Sequence, residues 1–325
     1  MSQPLQHPKS SAPILALDFG GTKLAAAIVA NGGTEWLKQR RVLSPPKTDA
    51  TTDLGIVGEM IQDLLQGEKP AAIGVSFGGP VDASTGIIRL SHHVPGWENV
   101  PLRQMLEAEF GVAVSVDNDA NVAALGEYQF GAGVGCEHLF YITVSTGVGG
   151  GWILNKRLWR GTAGMAGEIG HTVVDPMGPL CLCGKRGCLE RLASGPYIAL
   201  AVREELRDRP SEGKILRSLA KHSEAAITAQ LVSQAAAEGD ELAIEALDRA
   251  AWALGVGIGN AANLINPQRF VLGGGVMKAG ERFWEVLGRV ARETALPEVH
   301  FDILPAALGD DAPLWGAVAL ALSGV

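Results

Sequence analysis

The chain is poor in sulfur. It has four cysteines in 325 residues, and three of them fall within the eight positions of CLCGKRGC, 181–188. It also lacks a long apolar run. The most hydrophobic stretch, AAWALGVGIGNAANLI, is about sixteen residues long and carries two asparagines, too short and too polar to cross a bilayer. Basic charge is not in excess: 27 Lys and Arg against 35 Asp and Glu leave a net charge of −8, which argues against a nucleic-acid surface. The start, MSQPLQHPKSSAP, is polar and contains proline, so it does not read as a signal peptide. These absences point to a soluble cytoplasmic protein with no nucleic-acid or membrane partner, whose thiols stay reduced. Two nucleotide motifs are missing as well. No G-x-x-x-x-G-K-[ST] occurs, and GVGGGW lies between two predicted strands where a Rossmann turn needs a following helix.

Glycine and apolar residues are plentiful, at 42 positions and 47% of the chain, and the length suits two domains. ILALDFGGTKLAAAIVANGGTEWLKQRRVL reads as strand, glycine turn, strand, hairpin turn and strand. HLFYITVSTGVGGGWILNKRLW repeats that theme at 139–154, which implies duplication of a fold unit. Between the copies, the spacing predicts a helix in DLGIVGEMIQDLLQGE, a buried strand in AAIGVSFGGPVD, a helix in LRQMLEAEFG, a strand in VAVSVDND and a helix in ANVAALGEYQFGAG. A helical region from about Pro196 to Leu264, a strand in RFVLGGGVM and a closing helix in APLWGAVALAL follow. The expected boundary lies near VDND. It gives one domain of 1–118 plus the last helix, 306–325, and a second of 119–305.

DFGGTK places Asp18 at a strand end, then Gly20 and Gly21, which let backbone N–H groups approach an anion, with Thr22 and Lys23 as further donors. Asp18 has the chemistry to hold a hydrated Mg²⁺ beside a phosphate. STGVGGG supplies Thr146, Gly147, Gly149 and Gly150, and LGGGV supplies Gly273, Gly274 and Gly275. A plain turn explains any one of these. Three at strand ends of a duplicated α/β chain fit a nucleotide held between two domains.

His171 stands ten residues before the C-x-C-x₄-C of Cys181, Cys183 and Cys188. Three thiolates and an imidazole complete a tetrahedral zinc site with no open position, so its role is structural. A disulfide would leave one cysteine of the cluster over, in a compartment that keeps thiols reduced. Cys136 is read as a spare thiol.

The set LDFGGTK, NDANVAALGE, TVSTGVGGG, GEIGH, CLCGKRGCLE, RFVLGGGV and LGDDAPLWGA resembles the ROK family of repressors, open reading frames and sugar kinases, in order, from about residue 14 to 322. The resemblance implies two actin-like (ribonuclease H-like) α/β domains around a cleft, with ATP, Mg²⁺ and a structural zinc loop at 171–190. It implies phosphoryl transfer to O6 of a hexose, glucose first, with fructose, mannose, allose and N-acetylated hexosamines open. DNDAN offers Asp117 and Asp119 as bases or as helix caps. The resemblance assigns the base to Asp119, and Asn118, Glu168, His171 and Glu190 to the sugar. FGGP, with Gly79, is read as a sugar-side loop. The family often has Asn where His92 or His93 stands, and neither histidine is given a ligand role. Family habit favours a homodimer. A repressor would need a helix-turn-helix ahead of Ile14 and a basic patch, and a sugar-binding protein without catalysis would lack the base or the phosphate turn. The kinase reading is the expectation.

Overall fold

The computed structural model describes residues 12–91 and 94–323, which leaves His92 and His93 outside. Its contacts divide the chain into two units: 12–134 with 160–165 and 310–323, and 135–159 with 166–309. The first unit contains β1 (Ile14–Phe19), β2 (Lys23–Val29), β3 (Trp36–Leu43), α1 (Ala50–Leu65), β4 (Ala72–Phe77), β5 (Val81–Asp82), β6 (Ile87–Ile88), α2 (Leu102–Phe110), β7 (Val114–Asn118) and α3 (Asp119–Phe130). The second holds β8 (Leu139–Val144), β9 (Val148–Leu154), β10 (Arg157–Trp159), α4 (Leu189–Ala193), α5 (Gly195–Asp208), α6 (Lys214–Leu219), α7 (Ala229–Ala237) and α8 (Glu241–Ile265). It then adds β11 (Arg269–Gly273), α9 (Glu281–Thr294) and β12 (Asp302–Pro305), before α10 (Ala312–Ser323) returns to the first unit.

The two sheets share one plan. The first is ordered β3-β2-β1-β4-β7 and the second β10-β9-β8-β11-β12. In each, the first three strands are antiparallel and the last two run parallel to the first. The burial pattern follows from position. Interior β1 is apolar and covered along nearly its whole length, whereas edge strand β3 carries Lys38, Arg40 and Arg41 on an exposed ladder. The apolar stretch 250–265 lies in α8, a 25-residue helix whose long run of small and aliphatic residues is buried among α4, α5, α7 and α9. Among the described residues, no helix is long and apolar enough to cross a membrane.

The division of the chain differs from the expected cut after Asn118. Helix α3 stays in the first unit, because α10 packs along it and also covers β4 and β1. That packing is close. A Cβ on Gly126 would meet the carbonyl oxygen of Ala312 at 2.5 Å, and Cβ atoms on Gly316 and Gly74 would run into the carbonyls of Val122 and Ala317. Trp315 of α10 stacks on Trp36 with ring centroids 4.1 Å apart. Because backbone lies on the other side, no side-chain rotation relieves a larger residue here. We expect Gly316→Val to destabilise the protein by about 1–3 kcal/mol or more, measured as a lower urea midpoint at unchanged slope.

Candidate functional site

Parallel pairing of β1, β4 and β7 sets Asp18 beside Ser76 and Ser76 beside Asp117 at the carboxyl ends of the strands. Ligand groups collect at such ends in open α/β sheets. The Ser76 hydroxyl donates to Asp18 Oδ1 at 2.7 Å. Burial pushes the Asp18 carboxyl up to about 7 from its usual 3.8; the hydrogen bond from Ser76 opposes this and the charge of Asp119 adds to it.

The two acids of DND are used differently. Asp117 is 2% exposed, and its carboxylate accepts from Arg160 Nε at 2.5 Å, from the Asn118 N–H at 2.8 Å and from Asn121 Nδ2 at 3.2 Å. Asp119 is half-buried in the first turn of α3, beside Asp18. The cap of α3 is Asn118. Its Oδ1 accepts from the N–H groups of Ala120 and Asn121, and its Nδ2 donates to the Gly79 carbonyl at 3.1 Å. Gly79 is needed for packing too, since a Cβ there would sit 2.6 Å from the Leu90 carbonyl.

The first glycine turn closes with the Gly20 N–H on the Lys23 carbonyl at 3.0 Å, and leaves Thr22 and Lys23 exposed. Lys23 Nζ lies 3.4 Å from Asp310 Oδ2. Arg41 donates to Asp311 Oδ1 at 2.6 Å and to the Asp310 carbonyl at 3.1 Å, which ties the start of α10 to β3.

In the second unit, the 145–148 turn follows β8 as the 20–23 turn follows β1. Glu190 of α4 accepts from the Val148 N–H at 3.0 Å, and a Cβ on Gly147 would meet the same carboxylate at 2.8 Å. Thr146 and Gly147 therefore occupy the exposed turn, whereas Gly149 and Gly150 belong to β9, opposite Thr143 and Ile142. Gly150 is a packing glycine: its missing Cβ leaves room for the Phe140 ring, 2.6 Å from where that atom would be. Gly273 likewise ends β11 against Tyr141, and Gly274, at φ +94°, abuts the Val144 carbonyl. Gly275 has open space around it.

His171 and Cys181, Cys183 and Cys188 place one ligand atom each within 4.8 Å of one another. All three sulfurs are free thiols, with Cys183 Sγ and Cys188 Sγ 3.5 Å apart. His171 Nδ1 is buried and has no hydrogen-bond partner among the described residues. Burial, then the hydrogen bonds of Cys183 and Cys181, push the Cys188 thiol up to about 12, while the Lys185 N–H pulls the exposed Cys183 thiol down. Such a set accepts a thiophilic cation readily, because a cation relieves the crowding of sulfurs and the orphaned nitrogen together. The loop is braced by Lys185 Nζ on the His171 carbonyl at 2.8 Å and by the Leu189 N–H on the Thr172 carbonyl at 2.9 Å. Gly187, at φ +64°, passes so close to Asp175 that a side chain would overlap its carbonyl. Glu168 is exposed, directly before the short turn of 3₁₀ helix that carries His171.

The structure thus brings Asp18, Gly79, Asn118 and Asp119 together in one unit, and Thr146, Gly147, Glu190, His171 and the three cysteines in the other. Two participants escape sequence reasoning. Ser76 sits inside an apolar strand with nothing to mark it, and Arg160 meets an acid 43 residues away.

A repeated α/β sheet, acids at its strand ends and a Cys₃His cluster agree with the family that the sequence motifs resemble. The ROK family model matches residues 14–323, and the chain belongs to the ROK family. It is 33% identical to a glucokinase of Thermotoga maritima over 94% of this chain and 96% of that one. It is also 36% identical to an N-acetylmannosamine kinase of Escherichia coli over 95% of this chain and 98% of that one. Among solved structures, a ROK glucokinase from Streptomyces griseus in complex with glucose and AMPPNP matches with a TM-score of 0.82 and 33% identity, covering 96% of this chain and 99% of that one.

A carboxyl protonated up to about pH 7 in the folded state but only to 3.8 when unfolded costs no stability below 3.8; stability then falls as pH rises, and the loss is complete once pH has passed 7. Asp18→Asn should match the wild type in stability near pH 4. It should gain on the wild type as pH rises through 7, by about 1–3 kcal/mol at pH 8, a value discounted for the carboxylate's partial exposure. Urea titrations at the two pH values measure the difference.

Proposed function

We propose that this chain transfers the γ-phosphoryl group of ATP to the 6-hydroxyl of a hexose, with glucose the first candidate. The observation that carries the reading is the division of labour in DND. With the Asp117 carboxylate committed to three donors, the role of accepting the hydroxyl proton falls to Asp119, half-buried in the first turn of α3 beside Asp18. Asp18 would hold Mg²⁺ through water, and the turns at 20–23, 146–147 and Gly275 would receive the phosphates, through backbone N–H groups aided by Thr22, Lys23 and Thr146. In this reading the two units are actin-like domains that close on the substrates, so that a sugar hydroxyl rather than water meets the phosphate. Gly79, Asn118, Glu168, His171 and Glu190 would surround the sugar, Asn118 through the part of its amide not spent on the helix cap. The glucose-bound relative supports glucose; the equally similar N-acetylmannosamine kinase keeps 2-acetamido sugars in the test panel. A homodimer in the cytoplasm, where ATP is supplied, completes the proposal.

We further propose that His171, Cys181, Cys183 and Cys188 hold zinc. Bound there, the ion would supply folding energy rather than catalysis, since four protein ligands leave no coordination site for substrate. Its functional value would lie in fixing α4. Cys188 is the residue before that helix and Glu190 its second residue, so a fixed cluster also fixes the carboxylate on the 145–148 turn.

In a coupled ADP-release assay with glucose, mannose, fructose, allose and two N-acetylhexosamines, we expect glucose to give the highest kcat/KM. Asp119→Asn should lower kcat by about 10²–10⁴-fold with hexose affinity retained; near-normal turnover would remove Asp119 from the role of base. Elemental analysis should find one zinc per chain. Cys183→Ser should lose it and weaken hexose binding more than ATP binding, as read by calorimetry, and zinc-free protein with native affinity for hexose would refute the assignment.

A further inference from the structure

We propose that Arg160 is a positioning residue for the phosphoryl transfer, holding Asp117 so that the head of α3 presents Asp119 in one geometry. The inference rests on the kinase reading above.

Arg160 directly follows β10, yet it joins the first unit, where its Nε donates to Asp117 Oδ2 at 2.5 Å. Asp117 is 2% exposed and the Arg160 side chain 22% exposed, so the pair is shielded from water on the carboxylate side. The other carboxylate oxygen, Oδ1, accepts from the Asn118 N–H and from Asn121 Nδ2. Those two asparagines flank Asp119. Asn118 caps the helix that Asp119 begins, and Asn121 lies in its first turn. One guanidinium therefore fixes one carboxylate, and that carboxylate fixes the residues on both sides of the candidate base. Loss of the anchor leaves a buried anion that must find other donors or draw in water, and either outcome disturbs the cap. General-base transfer tolerates little displacement of the accepting oxygen, so a shift of the cap should appear in turnover before it appears in binding.

The segment 160–165 supplies a second reason for placing this role on Arg160. Residues 160–165 all belong to the first unit, and a Cβ placed on Gly164, at φ +74°, would stand 3.6 Å from the Val81 carbonyl, an ordinary contact. A solvated surface pair of the same charges would contribute little. Here burial and three-way donation make the pair a fixed strut.

The test is steady-state kinetics of the full-length protein with saturating Mg-ATP and the best hexose of the panel, beside thermal melting. Arg160→Gln should lower kcat tenfold or more, while KM for hexose and for ATP each move less than threefold. Arg160→Lys, which restores the charge, should recover part of the lost turnover. Should Arg160→Gln fail to fold, the neutral double variant Asp117→Asn/Arg160→Gln removes the buried charge and should show the same split between kcat and KM. A folded variant with kcat within tenfold of wild type, a loss confined to KM, or no recovery with lysine overturns the proposal. Wild-type protein that turns over no hexose sinks the kinase reading itself, and the positioning role with it.

Discussion

The close approach of α10 to α3 and β4 is the constraint on which the first unit depends. Helices and sheets usually keep some 8–10 Å between axes because side chains stand between them. Gly74, Gly126 and Gly316 remove those side chains where the elements meet, and carbonyl groups occupy the space. The chain's last helix can then cover the inner strands β1 and β4, which carry Asp18 and Ser76 near their carboxyl ends. Its leading residues, Asp310 and Asp311, reach Lys23, Gln39 and Arg41 on β2 and β3. A larger residue at any of the three positions would push the helix outward and carry those acids away from the first glycine turn.

The second unit solves a related problem with sulfur instead of glycine. Residues 171–190 contain almost no regular structure: a short 3₁₀ turn, two isolated bridges and the first residues of α4. Exposed Met177 and Leu182 show that the loop has little apolar core of its own. What organises it is the convergence of three thiols and one imidazole, with Gly187 permitting the tight passage beside Asp175. Order made there passes to Glu190 through two residues of α4. Glu190 accepts from the Val148 N–H, so a loop with little core of its own is tied to the 145–148 turn.

Much of this was legible in the sequence, for identifiable reasons. The duplicated strand-turn-strand theme announces itself because glycine turns and apolar runs are local signals, and the sheets share one order as a result. The cysteine spacing is equally local. Strand β12, four residues ending in proline at a sheet edge, offers no alternation to detect. Helix α9 does carry its signal in Phe283, Leu287, Val290 and Ala291, spaced for one buried face. The extent of the first unit was not legible, because α3 is assigned by its contact with a helix nearly 200 residues later. Glycines proved the least transparent. Gly275 has open space around it and Gly147 faces the Glu190 carboxylate, but Gly150 and Gly273 in the same clusters make room for Phe140 and Tyr141, and only packing distinguishes the uses.

The DND motif shows how neighbouring acids acquire opposite duties. In sequence, Asp117 and Asp119 are interchangeable: two carboxylates separated by one asparagine, either able to cap the helix or accept a proton. Strand geometry breaks the symmetry. Asp117 still belongs to β7, opposite Ser76 in register, and its side chain is buried against the guanidinium of Arg160. Asp119 is past the strand, in the first turn of α3, where its charge faces Asp18. Burial, and after it the charge of Asp119, raises the Asp18 carboxyl to about 7, against the hydrogen bond from Ser76. Arg160 pairs with the third acid, Asp117, and so leaves Asp18 and Asp119 as the two acids whose charges act on each other.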